Sequence, residues 1–420
     1  MHHFRYEGGA LHAEEVPLSR IAREVGTPAY VYSRATFERH YRVLDAALGD
    51  HPHLICYSVK ACSNLAVLGL LARLGSGFDI VSGGELHRVV HAGGDPRRTV
   101  FSGVGKTQGE MRAALRAQIR CFNVESEAEL RLLERVAEEE GLVAPVALRV
   151  NPDVDAGTHP YIATGLKDHK FGIPVAEARA LYERIEGSTH LHAVGVDCHI
   201  GSQITDLDPM VDAARRLVDL VRSLRERGIA IRHVDLGGGI GIPYDEESPP
   251  HPEEWGRAMR EVFGTIDDLE IVVEPGRVIA GNAGVLLTKV LYVKEGAEKT
   301  FVVVDAGMND LMRPALYEAY HAIWPVVEAD PDAKPQEVDV VGPICETADV
   351  LARGRRLPPL QAGDLLAVMS AGAYGFVMSS NYNGRPRPPE VLVDRSAVHV
   401  VRARESLDDL VRGERTLPAD

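Results

Sequence analysis

The sequence predicts an α/β protein, with a (β/α)8 barrel of the TIM type and a C-terminal, mostly-β domain. From about residue 53, eight short apolar runs alternate with longer helical patterns, which is the order of elements that a parallel barrel needs. After residue 281, strand-like runs follow one another without long helices between them. We therefore place the barrel at residues 35–280 and the β domain in residues 1–34 together with 281–420.

The barrel strands are predicted from runs rich in apolar and β-branched residues. In chain order these runs are HLICYSVKA, GFDIVSGGE, TVFSGVGK, CFNVES, VALRVNP, HAVGVDCHIGS, RHVDLGGGIG and EIVVEPGR. Helical patterns such as NLAVLGLLARL and EAELRLLERVAEEEGL lie between them. In the second domain we expect strands in GVLLTKVLYVKEG, TFVVVDAGM, VDVVGPI, DLLAVMSAG, PPEVLVD and SAVHVVRAR, and a hairpin in YEGGALH near the N-terminus.

Composition excludes several classes of function. The 420 residues carry 46 basic and 61 acidic side chains, for a formal charge of −15, whereas nucleic-acid binders carry a basic surface. The N-terminus lacks the basic and apolar pattern of a signal peptide, and the most apolar stretch is too short to span a membrane. We therefore expect a cytoplasmic protein with no nucleic-acid partner and no membrane association.

The cysteines and histidines do not indicate a metal site or a disulfide framework. Five cysteines form no CxxC pair and are odd in number, which suits neither a zinc ribbon nor a set of disulfides. Two histidine pairs, His51 with His53 and His190 with His192, precede strands and so lie away from the expected active-site face. We assign both pairs to structure and predict no bound metal.

Polar residues and glycines lie near the C-terminal ends of several predicted barrel strands, where the active sites of such barrels lie. These residues are Lys60, Asp79, His199, Ser202, Gly238, Gly239, Glu274, Gly276 and Arg277. A lysine at the end of a buried strand is costly as an ammonium group, so Lys60 needs a partner or a chemical role. We expect all of these residues to lie together at one mouth of the barrel.

This combination indicates pyridoxal 5'-phosphate as the cofactor. A lysine amine can form its Schiff base, a glycine-rich turn can bind its phosphate, and an acidic residue can tune its ring nitrogen. Lys60, Gly239 and Glu274 meet these three needs, and His199 can stack on the ring. Alone, the glycine run also fits a tight turn at the barrel rim, and His199 also fits a hydrogen-bonded core histidine.

Several motifs make a family recognisable. YSVKACSN, FDIVSGGEL, HIGSQ, DLGGGIGIPY, EPGR, GPICE and SAGAYGFVMSSNYNGRPRPPEVLVD resemble the diaminopimelate decarboxylases, in the alanine racemase-like, fold type III group of pyridoxal-phosphate enzymes. The resemblance covers nearly the whole chain. It implies decarboxylation of meso-diaminopimelate to L-lysine and carbon dioxide, the last step of bacterial lysine biosynthesis. It also implies a homodimer with shared active sites, because the GPICE segment of this group reaches into the partner subunit.

The resemblance implies a role for each matching residue. Lys60 is the Schiff-base lysine, His199 stacks on the ring, Ser202 lies near the phosphate, and Cys345 is the proton donor. The implied substrate contacts are Arg277, Arg313, Tyr317, Glu346 and Tyr374, and Tyr374 also contacts the cofactor. These types suit a substrate with an amino acid at each end, since arginines can bind the distal carboxylate and a glutamate the distal ammonium. The plainer interpretations are a surface ion pair for Arg313 with Glu346 and a small buried residue for Cys345.

Two alternatives stay open at the level of sequence. One is a decarboxylase of ornithine, arginine or carboxynorspermidine, or an amino-acid racemase, on the same fold; the other is a non-catalytic carrier of the cofactor. Two arginines with a glutamate favour a distal amino acid, and the full β domain with GPICE argues against the carrier. The Lys170-Phe171-Gly172 segment also resembles the family, without an assignable role.

Overall fold

The computed structural model describes residues 2–154 and 171–418, and the chain divides into two units. One unit is Glu38–Ile279, and the other combines Met1–Phe37 with Ala280–Asp420. Lys170 and the residues just before it lie outside the described ranges, whereas Phe171 and Gly172 lie inside them.

The N-terminal segment begins with a small antiparallel sheet. Its strands are β1 (Phe4–Glu7), β2 (Ala10–Ala13) and β3 (Val16–Pro17). The predicted hairpin is confirmed, since Glu7 lies opposite Ala10 across a Gly-Gly turn in which both glycines have positive φ. Helix α1 (Leu18–Val25), strand β4 (Ala29–Ser33) and helix α2 (Arg34–Leu48) follow.

The predicted barrel is confirmed. Its strands are β5 (His53–Ser58), β6 (Gly77–Ile80), β7 (Thr99–Phe101), β8 (Cys121–Val124), β9 (Ala144–Asn151), β11 (Leu191–Asp197), β12 (His233–Asp235) and β13 (Glu270–Val273), with β10 (Ile173–Pro174) beside β9. The order β9-β11-β12-β13-β5-β6-β7-β8 closes through pairing of β8 with β9, and every pairing is parallel. The helices are α3 (Leu65–Arg73), α4 (Gly83–His91), α5 (Gln108–Arg116), α6 (Glu127–Glu140), α7 (Val175–Glu186), α8 (Asp208–Glu226), α9 (Pro252–Phe263) and α10 (Arg277–Ala280). The sequence did not predict β10, which has only two residues.

The interior of the barrel changes from apolar to polar along the strands. An apolar cluster of Leu54, Cys56, Val100, Cys121, Ala147 and Val272 fills its lower part. Side chains two residues apart in a strand share a face, so Asn123 lies above Cys121 and Arg149 above Ala147. In the same way Glu274 follows Val272. The face that forms the core therefore supplies charged and polar groups at the C-terminal ends of the strands.

The second unit contains a nine-stranded sheet. Its C-terminal strands are β14 (Gly284–Glu295), β15 (Thr300–Val304), β16 (Ile323–Pro325), β17 (Gln336–Val341), β18 (Val350–Leu357), β19 (Leu365–Val368), β20 (Glu390–Asp394) and β21 (Ala397–Arg402), with helices α11 (Arg313–Tyr317) and α12 (Leu407–Leu410). The main order is β18-β17-β15-β14-β4-β20-β21, and β19 pairs with β14 and β16. Val31, Val285, Leu287, Val391 and Val393 build its apolar core.

All six strands predicted in residues 281–420 are present, but the sequence analysis missed β16 and β18 there, and β3 and β4 in the N-terminal segment. Strand β16 has three residues, and β18 reads VLARGRRL at the edge of the sheet, where charged side chains replace the apolar alternation. Within residues 2–154 and 171–418, no helix combines the length and the apolar character needed to span a membrane.

Candidate active site

Lys60 is held at the barrel mouth by a buried carboxylate. It lies two residues beyond β5, and its ammonium donates a hydrogen bond to Asp79 Oδ2 at 2.6 Å. Ser58 Oγ donates to the same oxygen at 2.6 Å. Asp79 is fully buried, whereas 37% of the Lys60 side chain is exposed. Lys60 is therefore anchored by charge and still open to a small molecule.

Glu274 lies deeper in the barrel, where β13 ends. Its Oε1 accepts hydrogen bonds from Ser102 Oγ at 2.9 Å and from Asn123 Nδ2 at 3.3 Å. Burial raises the pKa of Glu274 well above its usual range, and the neighbouring carboxyl groups of Asp235 and Asp79 add to the effect. Burial therefore favours the neutral form of the Glu274 carboxyl group as long as no positive charge lies beside it.

Two more buried carboxyl groups accompany Glu274. One oxygen each of Asp197, Asp235 and Glu274 lies within 4.8 Å of the others. Burial raises the pKa of Asp235 to about 6. The hydrogen bond that its Oδ1 accepts from the Gly237 N–H at 2.9 Å lowers this pKa, but by less than burial raises it. Burial also raises the pKa of Asp197. All three pKa values are raised because the barrel interior does not solvate three carboxylates.

These carboxyl groups fit the ring nitrogen of pyridoxal phosphate. Among the described residues, the buried Oδ1 atoms of Asp79 and Asp197 accept no hydrogen bond. A protonated pyridine nitrogen beside Glu274 would supply the positive charge that a buried carboxylate needs, and a carboxylate beside the ring nitrogen in turn stabilises a pyridinium.

His199 is neutral and fixed in one tautomer. Its Nδ1 accepts a hydrogen bond from the Gly238 N–H at 3.3 Å, so the ring proton lies on Nε2. Burial lowers the pKa of His199 well below its usual value, and the nearby cations Arg149 and Lys60 lower it further. A half-buried neutral imidazole can pack against an aromatic ring without adding a charge.

The loop after β12 can accept only glycine at two positions. A Cβ atom on Gly238 would lie 2.4 Å from the carbonyl oxygen of Glu274. Gly239 has a φ of +110°, and its Cβ atom would lie 2.8 Å from the Gly201 carbonyl oxygen. The Ile204 N–H binds the Gly239 carbonyl at 2.8 Å, so the loops after β11 and β12 are joined.

A basic group completes this concave loop. Arg277, which follows Gly276 and begins α10, is 6% exposed. It donates one hydrogen bond to Ser202 Oγ at 3.0 Å and another to Tyr244 Oη at 2.7 Å. A guanidinium, a hydroxyl group and close-packed glycine backbone are the donors that a phosphate needs, so these predicted cofactor residues fit that group.

Sequence reasoning missed a buried ion pair at the neighbouring strand ends. Arg149 on β9 donates to Glu125 Oε1 at 3.1 Å, and its guanidinium lies 4.9 Å from the Phe171 ring centre. The Gly172 N–H donates to Glu125 Oε2 at 3.3 Å. Both charged residues lie at strand ends in CFNVES and VALRVNP, so the criterion that found Lys60 would also have found them.

One histidine of each pair that the sequence assigns to structure contacts a backbone carbonyl group. A ring nitrogen of His51 lies 3.0 Å from the Leu269 carbonyl oxygen, and one of His190 lies 3.2 Å from the Leu142 carbonyl oxygen. Such contacts orient imidazole rings near the ends of strands and suit the structural role.

In the β unit, Arg313 is buried rather than part of a surface ion pair. It begins α11 and is 6% exposed, and its Nη1 donates to His321 Nε2 at 2.9 Å. His321 in turn donates from Nδ1 to the Met369 carbonyl at 2.8 Å. Tyr317 ends the same helix and is partly buried, and the partly buried Tyr374 has a φ of +56°. His321 thus fixes the direction of the arginine.

The GPICE loop presents Cys345 and Glu346 to the outside of this unit. The Asp349 carboxylate closes the loop by accepting hydrogen bonds from the Ile344 and Met308 N–H groups, both at 2.6 Å. Both Cys345 and Glu346 are exposed. The loop backbone is therefore anchored, while the two candidate functional side chains remain accessible.

A second loop supports these two residues, and sequence reasoning gave it no role. Asn383 Oδ1 accepts a hydrogen bond from the Cys345 N–H at 2.8 Å. Tyr382 Oη donates to Glu346 Oε2 at 2.8 Å, and this acceptor raises the pKa of Tyr382. The two residues belong to the SSNYNG motif, which was recognised only as part of the family resemblance.

The barrel and its site define the class of protein, a pyridoxal-dependent decarboxylase. Residues 34–281 match the family model described as the pyridoxal binding domain of pyridoxal-dependent decarboxylases. The chain is 58% identical to the diaminopimelate decarboxylase of Pseudomonas aeruginosa over 99% of both chains, and 56% identical to that of Vibrio cholerae over 100% of both. A solved diaminopimelate decarboxylase from M. jannaschii in complex with L-lysine superposes with a TM-score of 0.94 and 38% identity, covering 99% of this chain and 98% of that chain. The chain belongs to the diaminopimelate decarboxylase family.

The raised pKa of Asp235 predicts that the substitution Asp235→Asn changes how the free energy of unfolding depends on pH. Because the folded state raises the pKa of Asp235 to about 6, it retains a proton that the unfolded chain loses. This contribution is present below about pH 4 and is lost as the pH rises through about 6. In cofactor-free protein, Asp235→Asn should therefore gain stability relative to the parent across this interval, on the order of 2 kcal/mol, in urea unfolding.

Asp219→Asn is the matched control, because 77% of the Asp219 side chain is exposed. The free energy of unfolding of Asp219→Asn should change with pH in the same way as that of the parent. If the free energy of unfolding of Asp235→Asn also changed with pH as that of the parent does, the raised pKa of Asp235 would be refuted.

Removal of the Asn383 support should change the reactivity of one thiol. All five cysteines lie in described residues, and only Cys345 is exposed. The rate of reaction with a small thiol reagent therefore reports on this residue. The hydrogen bond between the Cys345 N–H and Asn383 stabilises the loop by about 1 kcal/mol of free energy. We expect Asn383→Ala to make Cys345 react about two- to tenfold faster, with little change in melting temperature. Asn381→Ala is the control, since Asn381 contacts Glu405 and Arg385 instead. Equal rates in both variants would exclude a specific support.

Proposed function

We propose that the protein decarboxylates meso-2,6-diaminopimelate to L-lysine and carbon dioxide, the last step of bacterial lysine biosynthesis. The observation that carries this proposal is the identity with diaminopimelate decarboxylases over the full length, in the β unit as well as the barrel. A solved relative from Helicobacter pylori, 42% identical, is complexed with L-lysine, the product that this reaction would release.

Bound pyridoxal 5'-phosphate supplies an aldehyde for amines and a protonated ring that accepts the electron pair left by carbon dioxide. Lys60 would hold the cofactor through its amine, and Glu274 would keep the ring nitrogen protonated. Gly238, Gly239, Gly276, Ser202 and Arg277 would hold the phosphate, and the imidazole of His199 would pack against the ring. The geometry described above supports each of these roles.

The β unit supplies groups for the distal end of the substrate. We assign the distal ammonium to Glu346 and the distal carboxylate to Arg313, both of this unit, with Tyr317 and Tyr374 as further contacts; Arg277, a residue of the barrel, is a second candidate for the distal carboxylate. Arg313 is already oriented by His321, so little ordering is needed when it binds a carboxylate. A substrate that lacks the distal amino acid would leave these groups unpaired, which can cost about 10⁴-fold in discrimination.

Cys345 is the proposed proton donor to the α-carbon, and its exposure supports a homodimer with shared active sites. Proton transfer to a carbanion needs a site from which water is excluded, whereas both Cys345 and Glu346 are exposed in the single chain. A partner subunit that covers the GPICE loop would exclude this water. We also place the protein in the cytoplasm, in keeping with five cysteines that form no disulfide.

The first experiment measures carbon dioxide release and product formation from cofactor-loaded protein. We expect release with meso-diaminopimelate, with lysine formed in equal amount, and none with ornithine, arginine or lysine. Lys60→Ala should abolish turnover, whereas Lys299→Ala, at an exposed lysine, should retain it. Release from a simple basic amino acid instead would overturn the distal-site assignment and leave the cofactor assignment in place.

Mixed dimers test the sharing of active sites. Lys60→Ala and Cys345→Ala should each be inactive or nearly so, since general-acid groups contribute about 10²–10⁴-fold. After subunit exchange in equal amounts, about half of the dimers are mixed and each has one intact site, so activity should recover to about a quarter of the parent value. No recovery after confirmed exchange would show that Lys60 and Cys345 act within one chain.

A further inference from the structure

Asp349 is a buried carboxylate of the β unit, and it joins two segments that carry proposed active-site residues. It lies just before β18 and is 3% exposed. Its Oδ1 accepts a hydrogen bond from the Met308 N–H, and its Oδ2 accepts one from the Ile344 N–H, both at 2.6 Å. Met308 belongs to the segment that leads into Arg313, and Ile344 directly precedes Cys345. One side chain therefore holds both segments.

The backbone on both sides of Asp349 leaves room for its carboxylate only because two residues are glycine. A Cβ atom on Gly342 would lie 2.4 Å from Asp349 Oδ2, and one on Gly307 would lie 3.0 Å from both carboxylate oxygens. The Gly342 N–H donates to the Asp349 carbonyl oxygen, and the Asp349 N–H donates to the Glu346 carbonyl oxygen, both at 3.1 Å. The two segments thus pack closely around a single carboxylate.

The segment that leads into Arg313 is itself fixed by a turn around Asp310. Asp310 is 1% exposed, and its Oδ2 accepts a hydrogen bond from the Gly307 N–H at 3.0 Å. Its own N–H donates to the Gly307 carbonyl oxygen at 2.9 Å, and its carbonyl oxygen accepts a hydrogen bond from Tyr30 Oη at 2.6 Å. Because this turn is held from several sides, Asp349 Oδ1 binds a fixed point, and the GPICE loop is placed relative to that point.

Asp339 is a comparable carboxylate of the same unit whose contacts hold no proposed active-site residue. It lies on β17 and is 5% exposed. Its Oδ1 accepts a hydrogen bond from the Gly354 N–H at 2.7 Å, and its Oδ2 accepts one from the Lys299 ammonium at 3.1 Å. These contacts join β17 to β18 and to the residue before β15. The two aspartates are alike in burial and in the number of these contacts, and they differ in the segments that they hold.

We propose that Asp349 is a positioning residue for the reaction, which sets the place of the GPICE loop relative to the segment that carries Arg313. A carboxylate can do this because both of its oxygens accept hydrogen bonds, whereas the NH2 group of an amide only donates. A backbone N–H that faces such an NH2 group loses its acceptor, and the segment to which it belongs is released. This role rests on the proposed function, in which Cys345 is the proton donor and Arg313 a substrate contact.

The test compares Asp349→Asn with Asp339→Asn in the cofactor-loaded protein. Both substitutions keep the size of the side chain and remove one acceptor, so both should lower the melting temperature by similar amounts. Only Asp349→Asn should make Cys345 react about tenfold faster or more with a small thiol reagent. It should also lower kcat/KM for meso-diaminopimelate by about ten- to hundredfold, with a raised KM as part of the loss. Asp339→Asn should keep the labelling rate and the KM of the parent.

The KM separates a positioning role from simple loss of folded protein, since fewer folded molecules lower the apparent kcat and leave KM unchanged. The proposal requires both the faster labelling and the raised KM in Asp349→Asn. Absence of either change, or equal changes in Asp339→Asn, would overturn it. If the parent itself does not decarboxylate diaminopimelate, the proposed function is overturned, and the labelling rates then decide by themselves whether Asp349 holds the GPICE loop.

A second variant keeps the proposal testable if Asp349→Asn does not fold. In Gly342→Ala the added methyl group would lie 2.4 Å from Asp349 Oδ2, so the carboxylate must move away from the Ile344 N–H. The labelling rate and the KM should both rise, as in Asp349→Asn. Gly109→Ala is the control, at a position in α5 where no described residue outside that helix lies within 4 Å of an added methyl group. Parent-like labelling and KM in Gly342→Ala would contradict the role of Asp349.

Discussion

Burial of negative charge in the upper part of the barrel is the constraint on which the rest of the site depends. Asp79, Asp197, Asp235 and Glu274 are all buried, and the strand periodicity that places apolar residues below them also places them there. An unpaired buried carboxylate is costly. The structure reduces this cost with two cations, Lys60 and Arg149, with protons that some of the carboxyl groups retain, and with hydrogen-bond donors such as Ser102 and Asn123.

This arrangement explains why the two strand-end lysines differ. Lys106 follows β7 and is 7% exposed, and its ammonium donates to the Gly103 and Asn123 carbonyl oxygens and to Glu129 Oε1, at 2.8, 2.7 and 2.7 Å. It is fully bound within the protein and stabilises the loop. Lys60 pairs with one buried carboxylate and stays partly exposed, so it can leave that partner for a ligand. Exposure at the barrel mouth, rather than position at a strand end, distinguishes Lys60 from Lys106.

The barrel, and the position of the candidate cofactor residues at one end of it, could be predicted because both depend on local sequence. Strand periodicity marked all eight barrel strands, and Lys60, Gly239, Glu274 and Arg277 follow strands, so the fold brings them to one end. Their supporting groups could not be predicted in this way. The contact of Glu274 with Ser102 joins residues 172 positions apart, and that of Tyr382 with Glu346 joins residues 36 apart; both need the register of the folded chain.

We propose that the buried carboxyl groups of the barrel are matched to a protonated ring nitrogen. The most direct measurement is the affinity of the cofactor-free protein for pyridoxal phosphate and for its 1-deaza analogue, in which a C–H group replaces that nitrogen, by equilibrium dialysis. The parent should bind pyridoxal phosphate at least about tenfold more tightly than the analogue, and Glu274→Gln should lose most of this preference. Equal affinity of the parent for both compounds would contradict it.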